Sequence, residues 1–143
     1  MNKDKKTITL FILGLAGIMF SGYLSGVKFF TTTCAFNESC PYFWGYPACY
    51  YGFIMFLVIT IFSTLILLSK IERKKGLLSL MGVSFIGILF AGYFTLQELP
   101  LLLEEGLKAY FFGLPTCALG LIFYIIIFIF STFSLSQKSL RNY

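Results

Sequence analysis

The 143-residue chain has no histidine, only six acidic residues, a single tryptophan and a charged share of 12%. Without imidazole, histidine-ligated metal or haem, Ser-His or Cys-His catalysis and a histidine proton relay are all excluded. There is no phosphate-binding glycine loop and no G-x-G-x-x-G nucleotide fingerprint. The low charge is about half of the roughly 25% usual for a soluble domain. What the chain has is apolar: 58% hydrophobic residues, 18 Phe, 9 Tyr and a mean hydropathy of +0.87.

The few charges divide the chain. Uncharged stretches run over 7–27, 39–69, 76–97 and 109–137, each able to cover the roughly 20 residues a bilayer crossing needs. The composition therefore predicts an all-α integral membrane protein, a four-helix bundle in one membrane domain over 1–143. Its helices are expected at roughly 7–28, 46–69, 76–98 and 114–137. Three lysines before the first apolar run resemble a signal peptide. That run is longer than a roughly 7–15-residue signal core and no small-x-small site follows, so it reads as a true first helix.

Nine of the eleven basic residues (Lys3, Lys5, Lys6, Lys70, Arg73, Lys74, Lys75, Lys138, Arg141) lie at the termini and in the central loop 70–75. The positive-inside rule puts these in the cytoplasm and directs loops 29–45 and 99–113 outward. The net charge of +5 is thereby explained by topology, without a nucleic-acid partner. No Asp, Glu, Lys or Arg falls inside a predicted span, which argues against an ion or proton transporter.

The halves repeat. Gly17-Ile18-Met19-Phe20-Ser21-Gly22-Tyr23 recurs at an offset of 70 as Gly87-Ile88-Leu89-Phe90-Ala91-Gly92-Tyr93. Gly45-x-Pro47-x-Cys49-x-x-Gly52 recurs at an offset of 68 as Gly113-x-Pro115-x-Cys117-x-x-Gly120. Two tandem two-helix units enter the membrane the same way, which predicts a pseudo-two-fold axis along the membrane normal. Gly14, Gly17, Ser21, Gly22, Ser25 and Gly26, with Gly82, Gly87, Ala91 and Gly92, predict close packing inside the bundle rather than a dimer seam through Gly22-x-x-x-Gly26. Pro47 and Pro115 read as first helical residues, and Leu99–Phe112, mixing apolar and charged blocks, as a segment lying along the outer interface.

All four cysteines, Cys34, Cys40, Cys49 and Cys117, fall on the predicted outer side. Thiols confined to an oxidising side suggest disulfide chemistry, and their spacing is not a zinc pattern, so no metal is expected. Cys49 and Cys117 sit in the first turns of their helices, where the positive dipole end favours a thiolate and an apolar setting opposes it. The competing reading is two small hydrophobes at tight helix starts. Aromatics crowd the same level: Phe29, Phe30, Tyr42, Phe43, Trp44, Tyr46, Tyr50, Tyr51 and Tyr110 to Phe112. They read as an interfacial belt, some of them lining a flat-ring site near the thiols.

The pattern Ser21-x-Tyr23-Leu24, the loop pair Cys34 and Cys40, Gly45-x-Pro47-x-x-x-x-Gly52 and Cys117 at the outer start of the fourth helix together resemble the vitamin K epoxide reductase family. These features span most of the chain. The resemblance implies electron transfer from the thiols of a thioredoxin-like partner, through Cys34 and Cys40, to a pair at the last helix and on to a membrane quinone. Cys117 matches the second cysteine of that family's Cys-x-x-Cys motif; at the first stands Leu114, and Cys49 is the candidate to replace it. Five residues separate Cys34 from Cys40, an easily closed loop, whereas the overall connectivity of four cysteines stays open among three arrangements. A noncatalytic scaffold or partner subunit with structural disulfides, and a lipid- or quinone-binding module without turnover, are the alternative readings.

Overall fold

In hydrocarbon every backbone N–H and C=O has to be paired within the chain, and a helix does this locally. The computed structural model describes residues 3–31, 42–105 and 116–141, and these are almost wholly helical. The elements are α1 (Lys3–Thr31), a hairpin of β1 (Tyr42–Phe43) and β2 (Tyr46–Pro47), then α2 (Ala48–Leu67), α3 (Arg73–Glu105) and α4 (Thr116–Arg141). Four helices among the described residues are long and apolar enough to cross a bilayer, over Lys5–Thr31, Ala48–Leu67, Arg73–Pro100 and Cys117–Gln137. The chain is a multi-pass membrane protein, an all-α four-helix bundle.

Many hydroxyls inside the spans are satisfied by their own helices, although those of Ser25, Ser131 and Ser134 have no hydrogen-bond partner among the described residues. Hydroxyls donate one turn back, Ser21 to the Gly17 carbonyl at 2.6 Å, Ser63 to Ile59 at 2.9 Å and Ser84 to Leu80 at 2.6 Å. Such bonds let serine occupy fully buried positions and bring helices close.

The helices form a ring. α1 packs along α2 and α3 along α4, the two hairpins meet through α2·α3 and α1·α4, and α2 and α4 face each other diagonally. Core residues fall in pairs that the repeat makes equivalent. Thr7 and Leu77, Leu10 and Leu80, Phe56 and Tyr124, Ile59 and Ile127, and Ser63 and Ser131 are all buried to 2% exposure or less. Phe56 and Tyr124 stack face to face across the diagonal, ring centres 4.5 Å apart and planes within 10°. Each ring presses on the glycine of its own repeat, Gly17 beneath Phe56 and Gly87 beneath Tyr124. Near the termini the buried Lys6 ammonium donates to Gln137 Oε1 at 2.5 Å, tying α1 to α4.

Several boundaries differ from the sequence reading. Pro47 is the cap before α2 (φ −59°, ψ 141°), so Cys49 is the second helical residue rather than the third. α3 does not stop at 98 but runs through Pro100 to Glu105, so the first part of the expected 99–113 loop is helix. Proline removes a single donor, that facing the Leu96 carbonyl, and membrane helices tolerate this loss where the flanking residues are good helix formers. Within the expected loop 29–45 the structure forms a hairpin, Phe43 pairing with Tyr46 and Tyr42 with Pro47. Trp44 (φ 51°) and Gly45 (φ 83°) make its turn, the double positive φ of a type I′ connection. At the other end, α2 closes on Ser69 (φ 54°), with Ser69 N–H bonding the Ile66 carbonyl and Lys70 N–H the Leu65 carbonyl. This is the Schellman arrangement with serine where glycine is usual.

Candidate functional site

The repeat that pairs core residues also builds a cavity. Above the Phe56–Tyr124 stack, toward the hairpin end, lies a space of about 60 Å³ lined by residues of all four helices. Its walls come in repeat-related pairs: Phe20 with Phe90, Ser21 with Ala91, Leu24 with Phe94, Cys49 with Cys117, Gly52 with Gly120, and Phe56 with Tyr124; Ala48 completes the lining. The cavity therefore lies on the pseudo-two-fold axis.

Cys49 and Cys117 enter it from the first turns of α2 and α4, each half-buried. One turn deeper on each helix stands a glycine, and at Gly120 a Cβ would meet nothing within 4 Å. Diagonal placement is the demanding case for a disulfide, whose Cα atoms lie about 4.4–6.8 Å apart. The residues beside the thiols, Ala48, Gly52 and Gly120, are small. The Tyr124 hydroxyl donates to the Gly52 carbonyl at 3.3 Å, so the floor's one phenol is already partnered across the diagonal. Two thiols fall short of the four ligands of a structural zinc site, and the other walls offer no further metal ligand of suitable type.

The hairpin seals one side. Phe43 packs edge-on against Phe90 at 5.6 Å and Phe94 at 6.4 Å, both cavity walls, and against Tyr51 at 5.4 Å. The Tyr51 hydroxyl donates to the Phe43 carbonyl at 3.1 Å, fixing the strand to α2. Outside, Lys28 Nζ lies 5.2 Å from the centre of the Tyr42 ring and joins the end of α1 to β1.

Of the four cysteines singled out from the sequence, the structure brings Cys49 and Cys117 to one cavity, while Cys34 and Cys40 lie outside the described residues. The aromatic expectation needs correcting. Phe29, Phe30, Tyr42, Trp44 and Tyr46 are exposed, as an interfacial belt requires, and none lines the cavity; Tyr110 to Phe112 lie outside the described residues. The rings around the thiols are instead Phe20, Phe56, Phe90, Phe94 and Tyr124. The repeat carried the signal for them, since Phe20 and Phe90 stand at the offset of 70 and Phe56 and Tyr124 at that of 68.

Open space at Gly120 yields a first prediction. Gly120→Ala should leave the bundle as stable as the native chain or up to about 1 kcal/mol more stable, because alanine relieves glycine's backbone-entropy cost without meeting an atom. Thermal unfolding in detergent checks this, and a lowered midpoint would show that the space is not open.

No family model, no curated protein and no solved structure matches this chain.

Proposed function

We propose that the protein is a membrane thiol–disulfide oxidoreductase in which Cys49 and Cys117 are the redox pair inside the bundle and Cys34 and Cys40 the pair that exchanges with a partner. The observation that carries this reading is the placement of two repeat-equivalent cysteines on the walls of one apolar cavity. A dithiol partner of thioredoxin-like type reduces the Cys34–Cys40 disulfide, leaving its own cysteines bonded and two thiols on the loop. Those thiols reduce a Cys49–Cys117 disulfide in the same way. Re-forming that bond releases two electrons and two protons to an acceptor.

The acceptor implied by the family resemblance is a membrane quinone. An apolar cavity of about 150 Å³ is what holds benzene, and the space between these thiols is about 60 Å³. That space is smaller than a quinone ring, so a quinone that takes up the two electrons and two protons to become a quinol would be reached from outside it. That mismatch favours the second reading, a noncatalytic membrane scaffold or partner subunit whose cysteines form structural disulfides.

Mass mapping of thiols and disulfides in native membranes, with and without quinone depletion, decides between them. Turnover predicts that depletion shifts Cys49 and Cys117 toward the reduced state; four permanently oxidised cysteines, indifferent to quinone, would establish the scaffold. The same membranes test orientation. With nine of eleven basic residues at the termini and central loop, both termini are proposed to be cytoplasmic and the cysteine loop outside. A membrane-impermeant thiol reagent should then label reduced single-cysteine variants retaining Cys34 or Cys40 in intact cells. Labelling only after lysis would reverse the orientation.

A further inference from the structure

The larger cavity lies at the opposite end. Where α2 gives way to α3, a space of about 220 Å³ is bounded by Thr7 of α1, Ile66 and Leu67 of the last turn of α2, Ser69 and Ile71 of the connection, and Arg73 at the start of α3. It differs in kind from the cavity between the thiols. One wall is aliphatic, while the other is formed by Thr7, Ser69 and Arg73, and among the described residues no carboxylate lines it.

Charge and depth are equally specific. Lys70, Arg73, Lys74 and Lys75 surround a single acid, Glu72, whose carboxylate is held by Lys75 at 3.3 Å. The connection and the first turn of α3 therefore carry a net positive charge, and the partial positive charge at the start of a long helix adds to it. Leu67 ends one bilayer span and Arg73 begins the next, so the cavity sits where the chain leaves the hydrocarbon. A guanidinium carries five N–H donors in a planar fork, so a contact to the protein leaves donors for a second acceptor. That fork suits the oxygens of a phosphate better than any other basic side chain does.

We infer that this cavity binds a phosphate group at the membrane surface, with Arg73 and the Ser69 hydroxyl on the phosphate oxygens; where the phosphate belongs to a lipid, its attached carbon lies against Ile66, Leu67 and Ile71. Two sources share that chemistry, the headgroup of an anionic phospholipid and free inorganic phosphate. Neither the redox reading nor the orientation of the chain enters the inference.

The test uses the full chain in vesicles of phosphatidylcholine with or without phosphatidylglycerol, followed by release into detergent and native mass spectrometry. One phosphatidylglycerol per chain should survive release, with phosphatidylcholine lost. Arg73→Ala should weaken retention about tenfold or more and Arg73→Lys less, because lysine keeps the charge and loses the fork. Lys74→Ala, exposed and outside the lining, should stay within about twofold of the native chain. Displacement of the lipid by millimolar inorganic phosphate, with a matching rise in thermal midpoint, would name free phosphate as the source; stabilisation by phosphatidylglycerol alone would name the lipid. Equal retention in Arg73→Ala and the native chain overturns the site, as does an equal loss in Lys74→Ala, which would mean diffuse attraction to the basic loop. Should Arg73→Ala fail to fold, Arg73→Lys and Ser69→Ala carry the test, and retention unchanged in both overturns it.

Discussion

Serine at Cys49 or at Cys117 is expected to lower acceptor-dependent thiol oxidation by about two orders of magnitude or more, to the uncatalysed background, with each variant as inactive as the double variant. Equality of the three follows from the chemistry. A disulfide needs two sulfurs, and a hydroxyl can neither attack a disulfide as a thiolate does nor be oxidised to one. The repeat sharpens the expectation, because equivalent positions in one cavity leave no reason for one thiol to act without the other. Stability should hardly change. Serine is nearly the size of cysteine, and the cost of its hydroxyl beside an apolar cavity is about 1 kcal/mol, the scale of one unmade hydrogen bond. Cys→Ala at each position removes even that polar group and serves as the second variant. Oxidation that persists in Cys49→Ser would eliminate the pair and leave Cys117 acting with a loop cysteine or not at all. Unchanged oxidation in both would leave Cys49 and Cys117 as packing residues and assign the activity to other groups.

The number of spans, their order and the internal repeat were legible in the sequence because each rests on a signal that does not depend on packing. Charges are excluded from hydrocarbon, so gaps between Lys and Glu clusters mark crossings, and self-similarity at offsets of 68 and 70 needs no structure to be seen. Which residues meet inside was harder to read. In a soluble helix the buried face is the apolar one, but in a bilayer both faces are apolar. Along α2, Ile54, Leu57 and Ile61 face out while Phe56, Ile59 and Ser63 face in, and hydrophobicity does not separate the two sets. Small and hydroxyl-bearing residues mark the inner face instead, through Gly17, Ser21, Ser63, Ser84, Gly87 and Ser131. Close packing holds at Gly14, Gly17 and Gly87 but not at Gly26 or Gly82, where a Cβ would meet nothing within 4 Å, and the sequence pattern alone does not single out the rings that Gly17 and Gly87 accommodate.

Helix ends were misread for local reasons. The mixture of apolar and charged blocks in Leu99–Phe112 read as an interfacial segment beyond α3, yet the helix continues through Pro100 to Glu105, since a single missing donor does not outweigh the apolar run Leu101-Leu102-Leu103. The turn Trp44-Gly45 lacks the Asn-Gly or Asp-Gly pair that announces a type I′ hairpin. Tryptophan holds its positive φ there while its ring stacks on Phe43, centres 5.6 Å apart and planes within 4°. Phe43 is in turn held against Phe90 and Phe94 of α3, a tertiary contact that a reading of local propensity does not reach. Among the candidate thiols, Cys49 and Cys117 were found through the repeat, and their common cavity follows from the same symmetry.

The largest effect on the fold is expected at the two glycines beneath the central rings. A Cβ on Gly87 would lie 2.6 Å from the Tyr124 ring, and one on Gly17 would fall against the Phe56 ring. Neither ring can retreat, since each is backed by the other at 4.5 Å across the bundle axis. Gly87→Ala and Gly17→Ala should each therefore destabilise the bundle by about 1–3 kcal/mol, the usual cost of overpacking, with the roughly 1 kcal/mol that alanine gains in helix propensity included in the lower half of that range. The double variant should depart from additivity, because both methyl groups press on one stack. Trimming the opposing ring should reverse the penalty: Phe56→Leu combined with Gly17→Ala should be more stable than either change alone. The contrast with Gly120→Ala makes the test strict. All three substitutions are Gly→Ala within a membrane helix, so propensity acts equally, and only local space makes the sign negative at 17 and 87 and neutral or positive at 120. Thermal or denaturant unfolding of the four variants in the same bicelles measures it; one common sign at all three glycines would mean that the central stack does not govern how the two repeats close on each other.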